Sequence, residues 1–282
     1  MPSHTNLPIG VFDSGIGGIS VLRVIREQMP AEPISYFGDQ GHVPYGSRSM
    51  GQIQSFSEAI TLFLLTQGAK IIVVACNTAS AAALKDLREK FPDISFVGME
   101  PAVKPAAEHT QTGRVGILAT PATFQGALYS SVVERFANGV VLLQDTCPGL
   151  VQQIEQGNLD GEETRMILEE ALLPMLEKNI DTVVLGCTHY PFVIPVVQQI
   201  VGDNVRVIDP APAVAKQVRR VLEAKDMRRE FKSQGDLKLY TSGDPGVLEA
   251  LLPKLLGERG EVRGVKWLDA DVTKSDGRAL RA

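Results

Sequence analysis

Residues 9–29 read IGVFDSGIGGISVLRVIREQM, an apolar run that gives way to a glycine-rich turn and then to Ile19, Leu22, Ile25 and Arg26 at helical spacing. A strand that feeds through a tight turn into a helix is the opening of an α/β unit. Similar apolar runs, rich in β-branched residues, return in ISYFGD (34–39), IIVVACN (71–77), SFVGME (95–100), RVGILAT (114–120), VVLLQD (140–145), TVVLGCT (182–188) and VRVIDP (205–210). Helical stretches separate most of them. Few of the runs alternate polar with apolar residues, as expected of strands covered on both faces. The pattern predicts an α/β chain of doubly wound parallel sheets.

The chain also reads as duplicated. IGVFDS (9–14) resembles VGILAT (115–120), and IIVVACNT (71–78) resembles TVVLGCTH (182–189). Between Gly10 and Cys76 the spacing is 66 residues, and between Gly116 and Cys187 it is 71. Two similar domains related by internal pseudo-symmetry are expected, with the active site in the cleft between them. The proline-bearing stretches GMEPAVKP (98–105) and DPAPAVA (209–215) mark the junctions. They delimit a first domain of residues 1–98 plus 210–282 and a second of residues 99–209. AKDMRREFKSQGDLK (224–238) reads as a solvated helix end and loop, and KSDGRALRA (274–282) as a mobile tail.

Composition excludes several classes of function. Of 282 residues, 44% are hydrophobic and 22% charged, the balance of a folded globular chain. A formal net charge of -5 with scattered Lys and Arg offers no basic surface to nucleic acid. The N-terminal MPSHTNLPIGVF lacks a basic segment followed by an apolar core, and no run of about 18 apolar residues occurs, so no membrane association and a cytoplasmic location are expected. Three cysteines without a CxxC pair suit neither a disulfide framework nor a metal clip. His4, His42, His109 and His189 form no cluster of metal-ligand spacing either.

In an open parallel sheet, ligands bind beyond the carboxyl ends of the strands. The residues expected there are Asp13-Ser14, Cys76-Asn77-Thr78, Thr120 and Cys187-Thr188-His189. Cys76 and Cys187 each end an apolar run and precede an expected helix start, where unpaired N–H groups and the positive dipole end favour a thiolate. A free cysteine is also often a small packed hydrophobe. That is the reading of Cys147 in DTCPGLV (145–151), which lacks such polar company. Two matched strand-end thiols suit inversion at carbon, one taking a proton from one face while the other donates to the opposite face. Asp13 and His189 are placed to tune one thiol each. Ser14, Asn77, Thr78, Thr120 and Thr188 offer donors to an α-carboxylate and to the charge it accepts.

Four ordered motifs, DSGIGG (13–18), FGD with PYG (37–46), ACNTAS (75–80) and GCTHYPF (186–192), resemble the glutamate racemase family, and the resemblance spans most of the chain. It implies that Cys76 takes the α-proton from D-glutamate and Cys187 from L-glutamate, with Asp13 assisting Cys76 and His189 assisting Cys187. It implies substrate contacts at Asp13, Ser14, Tyr45, Gly46, Asn77, Thr78, Thr120, Thr188 and His189. Glu155 in LVQQIEQG (150–157) falls where the family has another acidic assistant, although CPGLV (147–151) replaces the family's frequent Pro-Leu-Phe-Val-Pro-like run. The resemblance also implies catalysis without pyridoxal phosphate or metal, supply of D-glutamate for bacterial peptidoglycan, and a homodimer.

Other readings fit less of the chain. Gly15-Ile16-Gly17-Gly18 lacks the GxGxxG spacing of a dinucleotide site, although Asp39 at the next strand end imitates a ribose-binding acid. A thiol hydrolase built on Cys187 and His189 leaves Cys76 without a task. Aspartate racemases tend to carry glutamate where this chain has His189, and a non-catalytic amino-acid-binding relative has no use for both thiols.

Overall fold

The computed structural model describes residues 4–231, 233–268 and 271–274. The chain begins with β1 (Ile9–Asp13), α1 (Ile19–Gln28), β2 (Ile34–Gly38), α2 (Met50–Thr66), β3 (Ile71–Val74), α3 (Asn77–Lys90) and β4 (Phe96–Gly98). It continues through α4 (Val103–His109), β5 (Arg114–Ala119), α5 (Pro121–Gln125), α6 (Ala127–Phe136), β6 (Val141–Asp145), α7 (Leu150–Glu155), α8 (Glu162–Glu177), β7 (Thr182–Gly186), α9 (Ile194–Val201) and β8 (Arg206–Ile208). Then follow α10 (Ala211–Ala224), β9 (Leu237–Thr241), α11 (Pro245–Leu255), β10 (Val262–Leu268) and β11 (Asp271–Lys274). Two compact units result, one drawn from the described parts of 1–99 and 211–282 and the other from Glu100–Pro210.

Unbroken apolar runs become strands because both faces of each sheet are covered. Every residue of β1, β2, β3 and β7 is buried. Sheet order is β11-β10-β9-β2-β1-β3-β4 in the first unit and β6-β5-β7-β8 in the second. The succession β2-β1-β3-β4 therefore recurs as β6-β5-β7-β8, and the register repeats with it. Gly10 stands opposite Ile72 and Gly116 opposite Val183, so Cys76 and Cys187 each lie four residues beyond the partner of an equivalent glycine.

Those two glycines are required by close approach. A β-carbon at Gly10 would lie 2.8 Å from Ile72 Cδ1 and 3.0 Å from Ala69 Cβ, and one at Gly116 would lie 2.8 Å from Met175 Sδ. In both units the segment that leads into the third strand packs directly onto the first strand, and only a bare α-carbon leaves room.

Two expectations need correction. The first sheet is larger than the second, because β9 and β10 extend it in parallel and β11 closes it antiparallel. Polar residues interrupt LKLYT and VRGVKWL, which hides these strands among loops in the sequence. The division between the two units falls between Pro210 and Ala211, and Pro212 already sits in the first turn of α10, where a missing N–H costs nothing.

The stretch 224–238 is more than a solvated loop. The buried Lys70 ammonium donates to Glu32 Oε2 (2.6 Å), to the Thr5 carbonyl (3.0 Å) and to the Met227 carbonyl (2.8 Å), while the Arg229 N–H donates to Glu32 Oε1 (2.7 Å). A buried charge needs such partners, and they pin the loop to the sheet. Leu237 and Lys238 already belong to β9. The tail 275–282 lies outside the described residues. Among the described residues, no helix is long and apolar enough to cross a membrane.

At the amino edge of the second sheet, Asp181 accepts from Thr110 Oγ1 (2.7 Å), the amides of Gln111 (2.5 Å) and Thr112 (2.8 Å), and Thr182 Oγ1 (3.1 Å). Partial burial would raise its carboxyl, but these four donors outweigh burial and lower it from 3.8 to about 2. A depressed carboxylate stabilises the fold above its unfolded value and loses that contribution as pH falls through the folded one. Asp181→Asn is expected to lower Tm by a few degrees at pH 7, with the difference vanishing as pH falls from about 4 to about 2. Melting curves across that range check it; a pH-independent difference would contradict it.

Candidate active site

In the first unit the chemistry gathers where β1, β2 and β3 end. Cys76 is the N-cap of α3, in extended conformation, and its Sγ accepts the Ala79 N–H at 3.4 Å. The chain leaves β3 at full extension and starts a helix at once, so the thiol takes the place that Ser or Asp usually fills at a helix start. Cys76 Sγ lies 3.7 Å from Ser14 Oγ, and Ser14 Oγ lies 3.5 Å from Asp13 Oδ1. Asp13 also accepts the Gly15 N–H at 2.8 Å. Asp13, Ser14, Cys76, Asn77 and Thr78 are all buried.

Asn77 is notable because neither its amide nitrogen nor its amide oxygen has a partner among the described residues, although both atoms are buried. Such an amide costs about 1–3 kcal/mol until something pairs with it. Tyr45 and Gly46 lie in the turn after β2, where the Tyr45 hydroxyl donates to Asp39 Oδ2 at 2.6 Å. Burial first, and then Asp39, Cys76 and Asp13, hold that phenol well above its ordinary value, so it stays a neutral donor.

In the second unit Cys187 follows β7. The expected helix start is here a single 3₁₀ turn, Tyr190–Val193, and α9 begins only at Ile194. Pro191 and Pro195 in this stretch have no N–H to donate. The thiol instead meets His189, whose Nδ1 is 3.7 Å from Cys187 Sγ and whose Nε2 is 2.6 Å from Glu155 Oε1. Burial would push the imidazole down, but the contacts to Cys187 and Glu155 hold it well above the ordinary 6.5. Glu155, at the last position of α7, is thus within reach of His189, 34 residues away in sequence.

Thr120 is engaged locally. Its hydroxyl caps α5, accepting the Thr123 N–H at 3.4 Å and lying 3.0 Å from Thr123 Oγ1. Thr188 is buried beside Cys187.

The register of the sheets makes the two units comparable residue by residue. Ser14 and Thr120 are equivalent, as are Cys76 and Cys187, but Asp13 corresponds to Ala119 and Thr78 to His189. The ionisable groups around the two thiols therefore come from different elements in the two units, Asp13 from the end of β1 and His189 from the turn after β7. Asp39 corresponds to Cys147, each four residues beyond the partner of the equivalent glycine.

A model of the Asp/Glu/Hydantoin racemase family matches residues 9–218. The chain belongs to that family. It is an amino-acid racemase. It is 47% identical over 256 residues to the glutamate racemase of Roseiflexus sp. (strain RS-1), covering 90% of this chain and 94% of that one. Among solved structures it is similar to a glutamate racemase isoform from Bacillus anthracis, with TM-score 0.83, 32% identity and coverage of 93% of this chain and 98% of that one. It is similar also to the glutamate racemase of Francisella tularensis solved in complex with D-glutamate, with TM-score 0.80, 30% identity and coverage of 93% and 98%.

Two features of this racemase escape a reading of the sequence. Asp39, visible there only as an imitation of a ribose-binding acid, is a buried hydrogen-bond centre. Cys147 has company after all: it stands at φ 42° beside Asp145, and the buried Tyr190, one turn beyond Cys187, donates to the carbonyl of the preceding Thr146 at 3.3 Å. Burial, followed by Asp145 and Cys187, pushes the Cys147 thiol well above its ordinary range. Iodoacetamide is therefore expected to label Cys76 or Cys187 first and Cys147 last, with glutamate slowing the first labels. Peptide mass mapping over time measures the order, and early labelling of Cys147 would contradict it.

Proposed function

We propose that this racemase interconverts L-glutamate and D-glutamate with Cys76 and Cys187 as the two bases. In the L-to-D direction the Cys187 thiolate takes the α-proton, and the C–H electron pair passes into the α-carboxylate. The Cys76 thiol then delivers its proton to the opposite face, leaving a Cys76 thiolate. D-to-L is the reverse. The observation that carries this reading is the register equivalence of the two cysteines, which gives each unit one thiol at the same point beyond its sheet. His189 with Glu155 would then set the proton affinity of Cys187, and Asp13, through or beside Ser14, that of Cys76.

Asn77, Thr78, Thr188, Ser14, Thr120 and the Tyr45–Gly46 turn are proposed to hold the substrate, with the unpaired Asn77 amide as the first candidate. Neither pyridoxal phosphate nor metal is required in this scheme, and among the described residues no cluster of three or more His, Cys, Asp and Glu could hold a metal ion. We further propose a cytoplasmic homodimer that supplies D-glutamate to peptidoglycan synthesis.

The test is incubation of the purified protein with L-glutamate or L-aspartate in deuterated water, followed by chiral separation and mass measurement. Expected is inverted glutamate carrying one deuterium at Cα, without added cofactor and well ahead of aspartate. A shorter substrate leaves side-chain donors unpaired at about 1–3 kcal/mol each. Faster inversion of aspartate, or inversion without deuterium, would reject the proposal.

A further inference from the structure

Asp39 follows β2 at the carboxyl edge of the first sheet, and its carboxylate is fully buried. One oxygen, Oδ1, accepts from Ser242 Oγ at 2.5 Å and from Trp267 Nε1 at 3.0 Å, both on the C-terminal part of the chain. The other, Oδ2, accepts from the Tyr45 hydroxyl at 2.6 Å. His42 Nδ1 lies 3.0 Å from Oδ1 and 3.1 Å from Oδ2 and thereby straddles the group. Its ring stacks on Phe56 with centroids 4.1 Å apart and meets Trp267 edge-on at 5.0 Å. The turn itself is tied by the His42 N–H to the Asp39 carbonyl (3.0 Å), by Arg48 Nε to the His42 carbonyl (3.1 Å) and by the Arg48 N–H to the Tyr45 carbonyl (3.0 Å).

A buried carboxylate with this many donors has one stable arrangement, because any donor that swings away leaves charge unpaired in a dry site. We infer that Asp39, Ser242 and Trp267 are positioning residues for the reaction: the C-terminal strands hold the Tyr45–Gly46 turn, through one shared carboxylate, in the conformation that meets substrate. Sequence equivalence explains why this device exists in one unit only. Cys147 occupies the corresponding place in the second unit, and a neutral thiol cannot gather such donors. The role in catalysis rests on the glutamate reading above, whereas the ordering of the turn does not.

Trp267→Phe and Ser242→Ala each remove one donor and keep the surrounding shape. Each is expected to raise KM for glutamate about three- to tenfold while kcat stays within about twofold, and Ser242→Thr, which keeps the hydroxyl, restores KM. Amide hydrogen exchange without glutamate tests the ordering directly. The His42 and Arg48 amides should exchange about tenfold faster in Trp267→Phe and Ser242→Ala, with β1 and β3 unchanged. A lowered Tm with unchanged KM would reduce these residues to structural props and overturn the inference. Unchanged exchange at His42 and Arg48 would overturn it too, even in a protein that failed to turn over glutamate, a failure that would count against the glutamate reading alone.

Discussion

Replacing Cys76 or Cys187 by alanine is expected to lower kcat/KM for racemisation at least about 10³-fold in either direction, with the fold retained. One thiol can detach the α-proton, but without the other no group delivers a proton to the opposite face, so both variants fail alike. Loss of one sulfur atom at a strand end is a minor volume change compared with truncation of a large core residue, and circular dichroism and Tm should stay near those of the parent. Cys147→Ala, treated in the same way, should keep most activity. Chiral chromatography of time courses measures the rates. Racemisation near the parent rate in either Cys76→Ala or Cys187→Ala would end the two-base assignment.

Breaking the line from Cys187 through His189 to Glu155 is expected to have the next largest effect. His189→Asn should reduce kcat/KM by about 10²-fold, and Glu155→Gln by less, because the imidazole still touches the thiol when its carboxylate partner is neutral. The two products are mirror images and the equilibrium constant is one, so kcat/KM must fall equally in both directions. The asymmetry appears in isotope effects instead. With the step at Cys187 slowed, substrate deuterated at Cα should show the larger primary effect as the L isomer, where Cys187 breaks the C–D bond. Equal effects for both isomers would remove His189 from its proposed place.

The pH dependence follows from the same geometry. Burial would lower the His189 imidazole, but its contacts with Cys187 and Glu155 outweigh burial and hold it well above 6.5. A raised histidine gives its stabilisation in full below the unfolded value and loses it as pH climbs through the folded one. In the proposed mechanism the Cys187–His189 pair would hold the proton delivered in the D-to-L direction until that higher pH is passed. Removing the Glu155 charge should move the basic limb of the D-to-L profile to lower pH. A limb that stays in place would show that Glu155 acts only by packing.

How much of this was legible beforehand differs from residue to residue. Gly10, Gly116, Cys76 and Cys187 carried the duplication in the linear chain, because a buried parallel strand must be written as an uninterrupted apolar run and its polar residues fall at the end. Strands β9 and β10 were hidden, since Lys238, Arg263 and Lys266 stay exposed on them and break the apolar run. The expectation of a helix start after Cys187 failed because a 3₁₀ turn and an α-helix share the same opening residues, and neighbouring prolines decide between them.

The sequence by itself determined the architecture of the repeating units, the edge at which chemistry gathers and the two thiols, all of which depend on local order along one strand and the turn after it. Only the tertiary structure decided which distant groups meet around the candidate site. Glu155 meets His189 because α7 packs near the turn after β7, and Asp39 gathers Tyr45, Ser242 and Trp267 from segments up to 228 residues apart. Such partnerships leave no periodic trace, because a hydrogen bond depends on where two atoms end in space and not on the spacing of their residues along the chain.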